Sequence, residues 1–200
     1  MSEEPTVFLV DDDDAVLQSL KALVKVVFSR VEAYDSAVEF LRVYDPNRPG
    51  CLVLDVAMPG MSGLELQQKL GANGMTPPVV FITGHANVPM AVEAMQAGAV
   101  SFLEKPFREQ DLWDSIRMAL RQDKQNRQLR LRRQRAEELI ARLTPREREV
   151  FDMIVQGKSS KEIAKIFGLS VRTIEDRRGG IMKKMVAKSV ADLVHLAMMR

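Results

Sequence analysis

Apolar and polar positions follow one rhythm up to about residue 108 and another beyond it. Short, nearly all-apolar runs stand at Thr6–Val10, Val31–Tyr34, Cys51–Leu54, Val79–Thr83 and Ser101–Leu103. Between them apolar residues recur every three or four positions, which predicts amphipathic helices at Ala15–Phe28, Ala37–Tyr44, Leu64–Gly71, Val88–Ala97 and one opening near Glu109. Strands alternating with helices in this way predict an α/β domain, a doubly wound five-stranded parallel sheet. The runs VFLV, CLVL and VVFI lack polar alternation, as expected of strands covered on both faces. Such sheets bind ligands beyond the carboxyl ends of their strands, so chemistry is expected on that edge.

Beyond Asp111 the apolar spacing weakens and charge takes over. Residues 121–135 carry Arg121, Lys124, Arg127, Arg130, Arg132, Arg133 and Arg135 against one acid, Asp123, with no Gly or Pro, which predicts a long continuous helix over 108–142. Leu129, Ala136, Ile140 and Leu143 lie at spacings of seven, four and three, which suits either a partner-facing stripe or a solvated linker. Thr144-Pro145-Arg146-Glu147 then reads as a capping box with proline at the first helical position. Ser159 to Glu162 cap a second short helix after Gly157, Gly168-Leu169-Ser170 breaks the chain before a third at Val171–Met185, and Ser189 starts a fourth. The chain therefore divides into an α/β domain at 1–122, a helical linker at 123–142 and an all-α four-helix domain at 143–200.

Composition adds little except in its distribution. An apolar share of 46% and a charged share of 28% are ordinary for a globular chain. No apolar run approaches the roughly 18 residues of a membrane span. The start, Met1-Ser2-Glu3-Glu4, lacks the basic and apolar parts of a secretion signal. A cytoplasmic protein with no membrane partner is expected. The single cysteine, Cys51, excludes an internal disulfide. Residues 1–107 hold 7 Lys/Arg against 14 Asp/Glu, a balance of −7, whereas 108–200 hold 22 against 13, a balance of +9. An acidic half joined to a basic half suggests separate partners, with a polyanion for the second.

The candidate chemistry lies at strand ends. Asp11, Asp12, Asp13 and Asp14 follow the first strand, Asp55 ends the third in CLVLDVAMPGMSG, Thr83 ends the fourth, and Lys105 follows the fifth in SFLEKPF. Asp13 and Asp14 are read as helix-start acids. Carboxylates crowded together repel one another unless a cation neutralises them. Mg²⁺ suits the cluster, because it takes a few carboxylates and keeps water and phosphate oxygens as further ligands. Asp55, on a central strand, is then the nucleophile for a phosphoryl group. Thr83 and Lys105 supply positioning and charge neutralisation, the main needs of that transfer.

These pieces, VFLVDDDDAV, CLVLDVAMPGMSGLEL and VVFITGHANVPMAVEAMQAGAVSFLEKPF, resemble the receiver domains of two-component response regulators over residues 5 to about 122. The resemblance implies a flavodoxin-like receiver phosphorylated by a sensor histidine kinase. It makes Asp55 the phospho-acceptor and places the Mg²⁺ pocket at Asp11, Asp12, Asp55 and the backbone carbonyl of Ala57. It also has Thr83 sense the phosphoryl oxygens, Lys105 pair with them, and Phe102 act with Thr83 as the switch. It further implies a cis Lys105–Pro106 bond. As phenylalanine, Phe102 lacks a hydroxyl for any polar form of that switch, and His85 is read as a rim residue.

Residues 143–197 are similar to the LuxR-type helix-turn-helix domain of the NarL/FixJ subfamily. That implies a recognition helix at Val171–Met185 entering the major groove of double-stranded DNA, and a homodimer when phosphorylated. Apolar Val171, Ile174, Ile181 and Met185 are expected to face the core. Lys161, Arg172, Thr173, Glu175, Asp176, Arg177, Arg178, Lys183 and Lys184 are the candidate DNA contacts, most of them to phosphate. The sequence departs from the subfamily in Arg177-Arg178, where His-Arg is usual, and in Gly179-Gly180. Two glycines inside a helix cost roughly 1 kcal/mol each relative to alanine. Asp176 on a groove-facing position is repelled by phosphate unless it accepts from a cytosine amino group.

Two other functions fit parts of the pattern. A Mg²⁺-dependent phosphohydrolase would use the same aspartate, but it normally places a second aspartate where Ala57 stands. An interaction module would bind protein or RNA through the helical domain. A phosphorylation-controlled transcription regulator accounts for both halves.

Overall fold

The computed structural model describes residues 4–199, so Met1, Ser2 and Glu3, read above for targeting, lie outside the described part. The chain forms two compact units, residues 1–126 and 127–200.

The first unit contains strands β1 (Thr6–Val10), β2 (Val31–Tyr34), β3 (Gly50–Asp55), β4 (Val79–Thr83) and β5 (Ser101–Glu104). They alternate with α1 (Asp14–Lys25), α2 (Ala37–Val43), α3 (Gly63–Ala72) and α4 (Val88–Gln96), and α5 (Glu109–Ala141) follows. All strand pairs are parallel, in the order β2-β1-β3-β4-β5. The doubly wound five-stranded sheet expected from the sequence is present.

The all-apolar strands serve two cores at once, because successive side chains point to opposite faces. Phe8, Val10, Leu52, Leu54 and Phe81 pack on one face with Ala37 and Phe40 of α2, Leu66 and Leu70 of α3, and Ala94 of α4. Val7, Leu9, Cys51, Val53, Val80 and Ile82 pack on the other with Leu17, Leu20 and Val24 of α1 and Leu112, Ile116 and Ala119 of α5. The indole N–H of Trp113 donates to the Leu23 carbonyl at 3.2 Å, fixing α5 against α1. Helix starts follow side-chain caps: Asp13 accepts from the amides of Ala15 and Val16, and Ser62 forms a capping box with Glu65.

The second unit holds the last turns of α5 and helices α6 (Pro145–Val155), α7 (Ser160–Phe167), α8 (Val171–Lys184) and α9 (Val190–Met198). Three members of the linker stripe, Ala136, Ile140 and Leu143, are buried. Ile140 and Leu143 pack with Val150, Phe151, Ile163, Ile174, Ile181 and Leu193. Ile140 and Leu143 complete the domain's own core, and Leu129 alone of the stripe is exposed. Thr144 and Glu147 form the expected capping box, and the Glu147 carboxylate also receives Lys184 at 2.7 Å from the end of α8. The Lys184 ammonium and the Thr144 amide together hold the Glu147 carboxyl down at about 2.

Helix α7 ends on Gly168 in the left-handed region at φ 65°, where a residue without Cβ is unstrained. Helix α8 ends the same way on Val186 at φ 53°. The Ala187 amide bonds the Met182 carbonyl at 3.0 Å and the Val186 amide bonds Lys183 at 3.2 Å, which is a Schellman turn. A β-branched residue at positive φ is strained by about 1–2 kcal/mol. After the entropy that glycine loses on folding is subtracted, Val186→Gly is expected to stabilise this domain by about 1 kcal/mol. Urea unfolding of the two proteins checks this, and an unchanged or lower midpoint for Val186→Gly would contradict it.

Candidate functional site

The parallel register brings the polar strand ends to one edge. Val10 is level with Leu54, Asp55 with Ile82 and Thr83 with Glu104, so Asp11, Asp55, Thr83 and Lys105 emerge side by side. Asp11 is 2% exposed, Asp55 6% and Thr83 0%. The Lys105 ammonium donates to both carboxylates, at 2.8 Å to Asp11 Oδ2 and 2.7 Å to Asp55 Oδ1. The second Asp55 oxygen accepts from the Ala57 amide at 2.7 Å, and Asp11 Oδ1 accepts from the Asp13 amide at 3.0 Å. Thr83 Oγ1 accepts from the His85 amide at 3.2 Å and keeps its own proton for another acceptor. The Lys105–Pro106 bond is cis.

One ammonium between two buried carboxylates leaves a net negative charge. Burial pushes the Asp55 carboxyl above its ordinary range, against the pull of Lys105 and of the Ala57 amide. Burial works against the charge of Lys105, but its hydrogen bonds to Asp11 and Asp55 raise it above the ordinary lysine value. The donors on this edge are all oxygens. Among the described residues no three acids, histidines or cysteines converge as a closed metal site. A hard cation that retains several waters needs no such closure, since one or two carboxylates suffice. The donor chemistry therefore fits Mg²⁺.

Of the other acids, Asp13 has the helix-start role expected of it. Asp12 is exposed next to Asp11 in the chain, and Asp13 is occupied as the cap of α1. Ala57 and His85 are exposed at the rim. Phe102 is half-buried, level with Phe81 on the adjacent strand, and their ring centroids are 6.2 Å apart. Paired positions of a sheet share a face, so Phe102 and Thr83 stand on the same side one step apart.

In the second unit, α7, the Gly168 turn and α8 form the helix-turn-helix. Ile174 and Ile181 of α8 and Met185 at its C-cap are buried as expected. Val171 is not: the first residue of the helix remains exposed, before the helix reaches the core. Lys161, Arg172, Glu175, Asp176 and Lys183 are exposed, while Arg177 is half-buried. Three candidates have work within the domain. The Thr173 hydroxyl is 2.8 Å from that of Ser170 at the helix cap, Arg178 donates to the Lys158 carbonyl at 3.4 Å, and Lys184 is paired with Glu147.

Residues 7–117 match the response regulator receiver domain family, and residues 141–197 match the family described as bacterial regulatory proteins, luxR family. The chain belongs to the NarL/FixJ family of response regulators. It is similar to the response regulator protein TmoT of Ectopseudomonas mendocina, 41% identical over 97% of this chain and 88% of that protein. It is equally similar to the transcriptional regulatory protein FixJ of Azorhizobium caulinodans, 41% identical over 100% of this chain and 94% of that one. A solved structure of the response regulator StyR matches with TM-score 0.87 and 44% identity, over 99% of this chain and 100% of that one. The chain is thus a two-component regulator of transcription, with a receiver and a LuxR-type DNA-binding domain, not a metabolic enzyme.

Two positioning residues of this response regulator escaped the sequence reading. A Cβ on Gly63 would lie 2.2 Å from the Asp55 carbonyl oxygen, so only glycine lets the start of α3 close against the end of β3. The last glycine of MPGMSG was the available signal. Asp123 is buried, and its carboxylate accepts from the Gly50 amide at 3.0 Å, at the opposite end of the strand that carries Asp55. Its sign was visible as the one acid in a basic run, but its partner lies 73 residues away.

Proposed function

We propose that Asp55 is the phospho-acceptor and that its phosphorylation by a sensor histidine kinase controls dimerisation and DNA binding. The observation that carries this is the Lys105 ammonium held between Asp11 and Asp55 at the carboxyl edge of the sheet. An Asp55 oxygen attacks the phosphorus, the bond from phosphorus to the donor breaks, and an acyl phosphate forms on Asp55. Lys105 and the Ala57 amide are placed to hold the incoming oxygens, and the Thr83 hydroxyl donates to one of them. Asp11, Asp12, Asp55 and the Ala57 carbonyl would hold Mg²⁺, which when bound neutralises charge on the phosphoryl oxygens. The chain catalyses only this transfer and its own dephosphorylation, and acts in the cytoplasm.

The switch follows from sharing a face. Once Thr83 turns toward the phosphoryl group, Phe102 can move further onto Phe81, and the surface of α4 and β5 changes shape. Val88, Val92 and Met95 are exposed there, soft apolar contacts for a second receiver. Phosphorylation then acts as a population shift toward a dimer whose α8 helices grip duplex DNA. Lys161 of α7 and Arg172, Arg177 and Lys183 of α8 are the contacts to phosphate in this reading, with Glu175 and Asp176 also on α8. Beryllofluoride, a phosphoryl mimic, is expected to raise both the sedimentation coefficient and the affinity for DNA. If mass, shape and affinity all stay the same, the coupling is wrong even with Asp55 phosphorylated.

A further inference from the structure

The outward stripe of α8 is unusual in its chemistry. At 100° per residue, Arg172, Asp176, Gly179 and Lys183 line up opposite the buried Ile174, Ile181 and Met185. An exposed carboxylate therefore sits in the middle of the face most distant from the core, between two cations. The Asp176 side chain makes no hydrogen bond or ion pair among the described residues, not even with Arg172 one turn earlier. It contributes nothing visible to the fold. One turn later the stripe is empty. A Cβ on Gly179 or Gly180 would meet nothing within 4 Å, so neither glycine is required by packing or by a turn. Both have ordinary helical φ, and glycine is among the poorest residues for a helix interior.

Resting on the reading of α8 as the helix that enters the major groove, we propose that Asp176 reads the exocyclic amino group of cytosine there. We propose too that Gly179 and Gly180 lower the profile of the helix so that this short side chain reaches the base edge. A carboxylate accepts only, and in the major groove the cytosine N4 amino group is the donor that suits it. Placed elsewhere among phosphates it is repelled. Aspartate has one methylene between backbone and carboxylate, so the helix axis must come close for the contact to form. Arginine or lysine at the two following outward positions would hold the helix away, and alanine would do so to a lesser degree. The flanking Arg172 and Lys183 hold phosphates on either side and offset the charge of Asp176.

Selection of duplexes from a randomised library by the full chain with beryllofluoride tests this. Wild type is expected to select a cytosine at one fixed position of each half-site. Asp176→Ala is expected to lose that preference, by about 10-fold or more, with an unchanged unfolding midpoint. Asp176→Asn is expected to move the preference at the same position from cytosine to adenine, which an asparagine amide pairs with. Gly179→Ala with Gly180→Ala is expected to raise the unfolding midpoint while weakening binding to the selected duplex. Tighter binding by Asp176→Ala to every duplex, with base preferences unchanged, would overturn the proposal and leave the carboxylate merely repulsive. Equal or better binding by the alanine pair would overturn the part assigned to the glycines. Absence of any duplex binding by wild type at low salt would instead remove the DNA-reading role itself, and this inference with it.

Discussion

Asp55→Asn is expected to abolish phosphoryl transfer from acetyl phosphate without unfolding the receiver. Asparagine keeps the shape of the side chain and one carbonyl oxygen, so it still accepts the Ala57 amide now bonded at 2.7 Å. It loses the charged, nucleophilic oxygen that Lys105 holds at 2.7 Å. Two buried carboxylates now share one ammonium, and replacing one of them relieves their mutual repulsion. The unfolding midpoint is therefore expected to stay or rise while labelling vanishes, which separates chemistry from folding. Chelating the divalent cation is expected to stop labelling of the wild type. Asp13→Asn is the control: Asp13 caps α1 through the amides of Ala15 and Val16, a role asparagine also fills, so its labelling persists. Label that survives Asp55→Asn would place the acceptor on another residue.

The sheet and its reactive edge were legible because short apolar runs bounded by breakers leave few alternatives to buried parallel strands. Helix ends were less so. The pattern runs α1 to Phe28, but the helix stops at Lys25, and the amides of Val27 and Phe28 both bond Val24 in the closing turn. Phe28 packs on the second core from that turn, supplying helical spacing without a helix. The polar residues could be placed on the edge from sequence, but their partners could not. Lys105 meets acids 94 and 50 residues away, and Lys184 meets Glu147 at a separation of 37. A basic side chain on a helix looks the same in sequence whether it faces DNA or closes its own domain. The stripe carrying Ile140 and Leu143 likewise suits a partner face or a solvated linker until the core those residues join is known.

That distinction sets the expected salt dependence of DNA binding. Lys161, Arg172 and Lys183 are exposed and Arg177 is half-buried, four cations per chain for phosphate. In the proposed DNA-bound dimer two chains would neutralise about six to eight phosphates, so log affinity is expected to fall against log salt with a slope of about −5 to −7. Between 50 and 200 mM salt that amounts to roughly a thousandfold to ten-thousandfold loss. Arg172→Ala or Lys183→Ala removes one phosphate contact from each chain and is expected to make the slope shallower by about 2. Lys184→Ala behaves differently, because its ammonium already neutralises the Glu147 carboxylate at the start of α6. Its slope is expected to match the wild type, and the domain to lose up to about 1 kcal/mol of stability, the worth of an exposed ion pair. Arg178→Ala is expected to resemble Lys184→Ala, since its guanidinium is tied to the Lys158 carbonyl. Titration of a labelled duplex at several salt concentrations measures all of these slopes. A flat dependence for the wild type would remove nucleic acid as the partner of the basic domain, and a shallower slope for Lys184→Ala would return that lysine to the DNA-facing surface.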